Sequence, residues 1–288
     1  MSLYRNSVWF LNGIQQYTRK GYVAASKDFE AKDLEVSVVG RSYMITGANS
    51  GIGKATAMAI AKKGGTVHMV CRNKDRAEEA KSQIVFESGN AEVYIHVVDM
   101  AQTRKVLEFA ETFKKEHPSL NVLITVSSGG MLVQKLRTDD LQSEKGYFDG
   151  VMVYAQNKRQ QVVLTEHWAK TNPVIHFSAM HPGWVDTPAV STSMPQFHQM
   201  MGNRLRSVDQ GADTVVWLAL SRAAARKRSG QFFQDRKPVP VHLPLAWTHS
   251  SDEEICSFIT QLETLARAVR LHGEGLRDRV DISIPQFV

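Results

Sequence analysis

Two cysteines in 288 residues, Cys71 and Cys256, far apart and without a C-x-x-C, exclude a disulfide scaffold and a cysteine zinc site. They fit a reducing compartment. None of the ten histidines form an H-x-x-x-H pair, so no metal site is expected. No apolar run approaches the length of a transmembrane helix. No basic run is interleaved with aromatics, which argues against nucleic acid as a partner. G-x-S-x-G is absent, so a hydrolase nucleophile is disfavoured, and there is no internal repeat. The N-terminus lacks the apolar core and small-residue cleavage site of a signal peptide. Cytoplasmic residence, or a peripheral position at an intracellular membrane, is the expectation.

An ordinary core-forming chain remains, 43 % hydrophobic. Its length suits one large α/β domain or two small ones. Thirty-five Lys+Arg against 29 Asp+Glu leave a formal +6, scattered along the chain. Such a balance speaks to solubility and non-specific attraction rather than to a defined site. Near the N-terminus, Val8-Trp9-Phe10-Leu11, Ile14 and Tyr17 sit among Arg5, Arg19 and Lys20. This reads either as an interfacial amphipathic helix in peripheral membrane contact or as a helix packed on the domain; the second reading is preferred.

The most informative residues are Thr46-Gly47-Ala48-Asn49-Ser50-Gly51-Ile52-Gly53. They follow a short apolar strand, Tyr43-Met44-Ile45, and precede a helical run, Lys54 to Ala61. A glycine-rich strand-to-helix turn receives phosphate in α/β proteins. Gly47 can take a positive φ, and Gly51 and Gly53 permit close backbone approach. The helix N-terminus then presents free N–H groups and its positive dipole end to an anion. From residue 42 onward strand and helix patterns alternate. This predicts a doubly wound, Rossmann-like α/β fold with a parallel sheet. The expected divisions are an N-terminal helical extension over 1–39, a dinucleotide-binding domain over 40–245, and a C-terminal helix and tail over 246–288.

Tyr154-Ala155-Gln156-Asn157-Lys158 lies in a predicted long helix, so Tyr154 and Lys158 share a face. A cation beside a phenol lowers its pKa, which makes the pair a candidate general acid/base for an alcohol or carbonyl. A tyrosine packed on a lysine stem is the competing reading. Ser127-Ser128 ends a strand on the side of the glycine turn, where a hydroxyl can donate to a substrate oxygen; a turn or cap serine is the alternative. Arg72 follows the second strand, where an acid would hold the ribose of NAD and an arginine suits the extra phosphate of NADP. Asp99 ends the third strand and either meets the adenine or caps the next helix. After His181-Pro182-Gly183, Val185 and Thr187 lie at a strand end within reach of a ligand amide or phosphate, while His181 reads as structural.

Taken together, T-G-x-x-x-G-I-G, Asp99, Ser128, Tyr154-x-x-x-Lys158 and P-G-x-V-x-T resemble the short-chain dehydrogenases/reductases over about residues 40 to 235. T-G-A-N-S-G-I-G-K, the C-R after the second strand and H-P-G-W resemble the retinol-dehydrogenase-like branch. The resemblance implies hydride transfer between NADP, or NAD, and a small alcohol or carbonyl. Tyr154 would exchange the proton, Lys158 would lower its pKa and hold the nicotinamide ribose, and Ser128 would polarise the substrate oxygen. Ser50 and Ile52, with Gly47, Asn49, Gly51 and Gly53, would sit on the pyrophosphate, and Val185 and Thr187 near the carboxamide. One departure stands out. Ile124 runs directly into Thr125-Val126-Ser127-Ser128, whereas the family has N-N-A-G, a helix bearing a catalytic asparagine, and a further strand between. One helix–strand unit is missing, as alternative splicing could bring about. A catalytically impaired or inactive dinucleotide-binding isoform is therefore the second expectation.

Overall fold

The computed structural model describes residues 2–271. Two helices open the chain, α1 (Ser2–Gln16) and α2 (Arg19–Ala25). The alternating part follows as β1 (Ser42–Thr46), α3 (Gly51–Ala61), β2 (Thr66–Cys71), α4 (Lys74–Ser88), β3 (Val93–Val97), α5 (Thr103–Glu116) and β4 (Val122–Val126). An irregular segment with one 3-10 turn leads to α6 (Gly150–Thr171) and β5 (His176–Met180). Beyond it lie α7 (Pro188–Ser193), α8 (Pro195–Met201), α9 (Val208–Leu220), α10 (Arg222–Ala225), β6 (Gln231–Gln234), β7 (Lys237–Pro238) and α11 (Asp252–Leu271). The tail beyond residue 271, part of the expected C-terminal region, lies outside the described residues.

Local chemistry explains the helix limits. The Asn73 side chain accepts from the Arg76 N–H at the start of α4, and Gly89 ends it with φ 68°. Asp149 caps α6 by accepting from Val151 and Met152. Ser207 and Gln210 form a reciprocal capping box on α9. β6 and β7, a short antiparallel pair, lie partly in a stretch that reads as irregular from its prolines. Four residues are too few to show a period.

The parallel architecture is as expected, but the sheet is not continuous. β1, β2 and β3 form one three-stranded sheet, and β4, β5, β6 and β7 another. Every pairing is parallel except β6 with β7. β4 is followed by Ser128 and, through α6, by β5, and this β–α–β unit holds β4 against β5. Among the described residues no strand bridges the interval from β4 to β1. The halves are joined instead by packing. α3 and α9 lie against each other, and Ile45 of β1, Met69 of β2, Val126 of β4, Met180 of β5 and Phe233 of β6 share one core cluster. On the opposite side of the sheet Met44 of β1 is 43 % exposed.

The N-terminal helices dock on the fold, the preferred of the two readings. Trp9, Phe10 and Tyr17 surround Trp184, with ring centroids 5.7, 5.9 and 5.7 Å away. Gly13 is the contact point: a Cβ there would fall inside the Trp184 ring. Gly13→Ala should therefore cost about 1–3 kcal/mol, as overpacking does, read as a lower urea midpoint. An unchanged midpoint would show that α1 does not dock in this way.

Several histidines are buried in neutral form. Burial and the Arg206 charge bring His181 down to about 3; burial, His117 and His96 bring His68 to about 4; and burial with Arg159 and His249 brings His242 to about 4. Folded values below the unfolded 6.5 mean that the unfolded chain binds more protons under pH 6.5. Stability should be full above pH 6.5 and fall steadily toward pH 4, measured as Tm across that range. A flat Tm would contradict the buried neutral histidines.

Candidate functional site

The glycine turn adopts the conformation its residues anticipate. Gly47 has φ 65° and Gly51 φ 51°. A Cβ on Gly47 would meet nothing within 4 Å, leaving open space above the turn. A Cβ on Gly53 would fall onto the Gly47 carbonyl, so the first turn of α3 sits directly on the loop. Ser50 takes the N-cap position of α3 with φ −158°, yet its side chain makes no capping bond. That hydroxyl and the helix N-terminus remain available to an anion. Not every N–H of the turn is free, however. The Ala48 and Asn49 N–H groups point at the buried Cys71 thiol, whose pKa burial raises and those two bonds lower. Cys71 is thus a support of the turn, which its isolated position in the sequence did not signal.

Thr187 faces the turn from the other half of the sheet: a Cβ on Gly51 would lie 3.5 Å from its Cγ2. Its hydroxyl caps α7, accepting from Val190 N–H at 3.2 Å. Val185 is buried and pairs with Arg206 through an isolated parallel bridge. Arg72 is exposed just past β2 and makes no ion pair or hydrogen bond among the described residues. Asp99 follows β3, and one carboxylate oxygen accepts from Ala101 N–H at 3.0 Å. α5 begins four residues later with Gln102 as its N-cap, so Asp99 closes a turn and is not the helix cap.

Ser128, Tyr154 and Lys158 come together at the C-terminal end of β4. Ser128 caps the 3-10 turn, its hydroxyl accepting from Gly130 N–H at 3.1 Å. The same hydroxyl lies close enough to the Tyr154 phenol to act against the rise in its pKa. Lys158 lies one helical turn along α6, its Nζ 5.4 Å from the Tyr154 ring centroid. The adjacent Ser127 hydroxyl donates to the Lys158 carbonyl at 2.8 Å, tying β4 to α6.

The electrostatics depart from the expectation. Lys158 does not lower the Tyr154 pKa here. Desolvation raises the phenol above its usual value, and only the Ser128 hydroxyl opposes this. The reason is geometric. The Lys158 ammonium donates to the Val126 carbonyl at 3.0 Å and to Gln161 Oε1 at 3.2 Å. It therefore sits over the ring rather than beside the hydroxyl, and burial lowers its own pKa. The two groups that hold Lys158, a strand-end carbonyl and Gln161 three residues along the helix, were not recognised from sequence. The i, i+3 spacing of Lys158 and Gln161 was the available signal.

Below this site, Arg206 is almost wholly buried and forms a two-pronged pair with Asp235, at 2.7 and 3.0 Å. It also donates to the Gln16, Thr18 and Pro182 carbonyls. Gly183 permits this, with φ 84° and no room for a Cβ against the guanidinium. His181 is buried, edge-on to Tyr17 at 4.4 Å, with neither ring nitrogen hydrogen-bonded. That is the environment of a packed, structural histidine. Among the described residues no cluster of His, Cys, Asp or Glu could hold a metal ion.

Comparison with known proteins identifies the family. The short chain dehydrogenase family profile matches residues 41–152. The chain is 55 % identical to "Dehydrogenase/reductase SDR family member 12" of Bos taurus over 315 residues, covering 93 % of this chain and 99 % of the relative. Retinol dehydrogenase 12 of Homo sapiens is 27 % identical over 254 residues, covering 70 % of this chain and 80 % of the relative. Among solved structures, L-sorbose reductase from Gluconobacter frateurii, complexed with NADPH and L-sorbose, has a TM-score of 0.52 at 18 % identity, covering 70 % of this chain and 96 % of its own. The chain belongs to the short-chain dehydrogenase family, a family of NAD(P)-dependent oxidoreductases.

Proposed function

We propose that this chain is an NADP-preferring oxidoreductase that interconverts a small alcohol and its carbonyl. The observation that carries the reading is the meeting of Ser128, Tyr154 and Lys158 at the strand end that flanks the glycine turn. The residues present fit a dinucleotide: an open space over Gly47, an uncommitted Ser50 hydroxyl at the α3 N-terminus and Thr187 facing the turn. Gly47, Asn49, Ser50, Gly51, Ile52 and Gly53 would hold the pyrophosphate, Arg72 and Asp99 the adenosine end, and Val185, Thr187 and Lys158 the nicotinamide end. The bound nicotinamide supplies the two-electron chemistry.

The protein's own part is to position the substrate and move one proton. The Ser128 hydroxyl donates to the substrate oxygen. The Tyr154 phenol gives its proton to that oxygen in reduction and takes it back in oxidation. Because desolvation raises the Tyr154 pKa, the phenol is protonated throughout the neutral range, which suits an acid. Reduction should run evenly across neutral pH, and oxidation should accelerate as pH rises. The test is NADPH consumption with a panel of aldehydes and ketones.

Arg72 carries the cofactor preference. Arg72→Ala should weaken NADPH at least about tenfold, the loss of one charge-assisted contact, and leave NADH nearly unchanged. Equal weakening of both would remove Arg72 from the 2′-phosphate.

A second reading has its own observation. Lys158 is committed to Val126 and Gln161, and the phenol is not activated. On this reading the chain binds the dinucleotide but turns over poorly, as a splice-shortened family member would. Robust turnover by the purified chain would sink it. For location, no helix among the described residues is long and apolar enough to cross a membrane. Cytoplasmic residence with peripheral membrane contact through the exposed Leu3, Leu11 and Ile14 of α1 is tested by vesicle co-sedimentation.

A further inference from the structure

The N-terminal helices reach the turn that carries Ser128. Ser128 opens the 3-10 turn over Gly129–Val133, and its hydroxyl accepts from Gly130 N–H. That bond fixes the oxygen and leaves the hydroxyl proton for another acceptor. Gly129, between the two, is buried and rests on two rings. A Cβ on it would lie 2.9 Å from His181 Nε2 and 3.0 Å from Tyr17 Cε2. There is room for hydrogen and little more, so the backbone next to Ser128 sits directly on the ring edges.

Of the two rings, Tyr17 is the one that fixes the other. His181 makes no hydrogen bond through either ring nitrogen, so packing alone sets its orientation. Tyr17 meets it edge-on, with centroids 4.4 Å apart and planes at 83°. Tyr17 follows α1, and its own backbone is firmly moored. Its carbonyl accepts from Trp184 N–H at 2.8 Å. The Gln16 and Thr18 carbonyls on either side accept from the Arg206 guanidinium at 2.7 and 3.4 Å. Successive carbonyls thus hold one ring in place beneath the turn. α1 also covers the remainder of the turn, since Val8 and Trp9 pack with Met131 and Leu132. A group that acts on a reacting oxygen must be held within about 0.5 Å of its productive place by such packing.

We propose that Tyr17 is a positioning residue for Ser128, its ring setting the Ser128 hydroxyl through His181 and Gly129, so that the N-terminal extension forms part of the catalytic site. The proposal rests on the reading of Ser128 as the donor to the substrate oxygen.

Two readouts on the full chain test it. Residue-resolved amide hydrogen exchange follows Gly130, bonded to the Ser128 hydroxyl, and Met131, bonded to the Ser128 carbonyl. Tyr17→Leu should speed both at least about tenfold while β2 amides stay protected, and Tyr17→Phe should leave both unchanged. In turnover of NADPH with a carbonyl substrate, Tyr17→Leu should lower kcat at least about tenfold and move KM for NADPH by no more than about twofold. Tyr17→Phe should restore kcat. In a Ser128→Ala background, Tyr17→Leu should lower kcat no further. If Tyr17→Leu loses β2 protection as well, Gly129→Ala takes its place, pressing on the same two rings from the other side with the same expected pattern. Unchanged exchange at Gly130 and Met131 in these variants would overturn the proposal, as would fast exchange of both in the unmodified chain. An equal loss of kcat with and without the Ser128 hydroxyl would overturn it too. An unmodified chain without turnover would sink the oxidoreductase reading instead, and exchange at Gly130 alone would then decide whether Tyr17 holds Ser128.

Discussion

Tyr154→Phe should lower kcat by about 10²–10⁴, the usual worth of a positioned acid/base, while NADPH affinity stays within about twofold. The phenylalanine ring keeps the shape of the half-exposed side chain and its contact with the Lys158 ammonium, so the variant removes only the hydroxyl. That hydroxyl is the group on which the neighbouring Ser128 hydroxyl acts. Ser128→Ala should also lower kcat, by less, because it removes the polarising donor and leaves the proton source. The double variant should lose little beyond Tyr154→Phe, since the two hydroxyls act on one substrate oxygen. Single-turnover kinetics with a carbonyl substrate, alongside an NADPH titration, measure all three. A Tyr154→Phe chain with native turnover would remove the assigned acid.

The largest stability effect belongs to Arg206 and Asp235. Breaking a buried pair by removing one partner costs about 3–5 kcal/mol, because the remaining charge is left without compensation. Asp235→Ala should fall in that range, a large part of the whole stability of an ordinary domain. The Arg206 guanidinium also holds the Gln16 and Thr18 carbonyls, so the loss should reach the junction of α1 and α2. Urea unfolding followed by tryptophan fluorescence reports on this, since Trp9 and Trp184 lie in that junction. Replacing both partners with apolar residues, Arg206→Met with Asp235→Leu, should recover much of the loss. A cost under about 1 kcal/mol for Asp235→Ala, the range of an exposed pair, would show that the pair is solvated.

The parts of this molecule legible in its sequence are those whose chemistry is local. The phosphate turn announces itself because Gly47 and Gly51 supply positive φ angles and Gly53 permits contact that no other residue does. Tyr154 and Lys158 share a face by helical spacing alone. The alternation of elements is readable from the apolar patterns, and some helices also carry side-chain caps, as at Asn73 and Asp149. What escaped depends on the partners that the fold brings together. Which neighbour β4 would choose is not written in its five residues, and it lies beside β5 because α6 closes that unit. The sign of the Tyr154 shift depends on where Lys158 points, which the Val126 carbonyl and Gln161 decide. The role of Cys71 under the turn and of Arg206 beneath Gly183 involves contacts between residues far apart in sequence.

The central claim is that the turn at Thr46 to Gly53 still receives a nicotinamide dinucleotide although the sheet beside it is divided. Thermal unfolding of the full chain over an NADPH titration tests this directly. A ligand that binds only the folded state adds about 2.7 kcal/mol at a hundredfold excess over Kd. The account predicts a saturable rise in Tm with NADPH, a smaller rise with NADH at equal concentration, and no rise with S-adenosylmethionine. A Tm that does not move with either nicotinamide dinucleotide, in a chain that unfolds cooperatively, would contradict it.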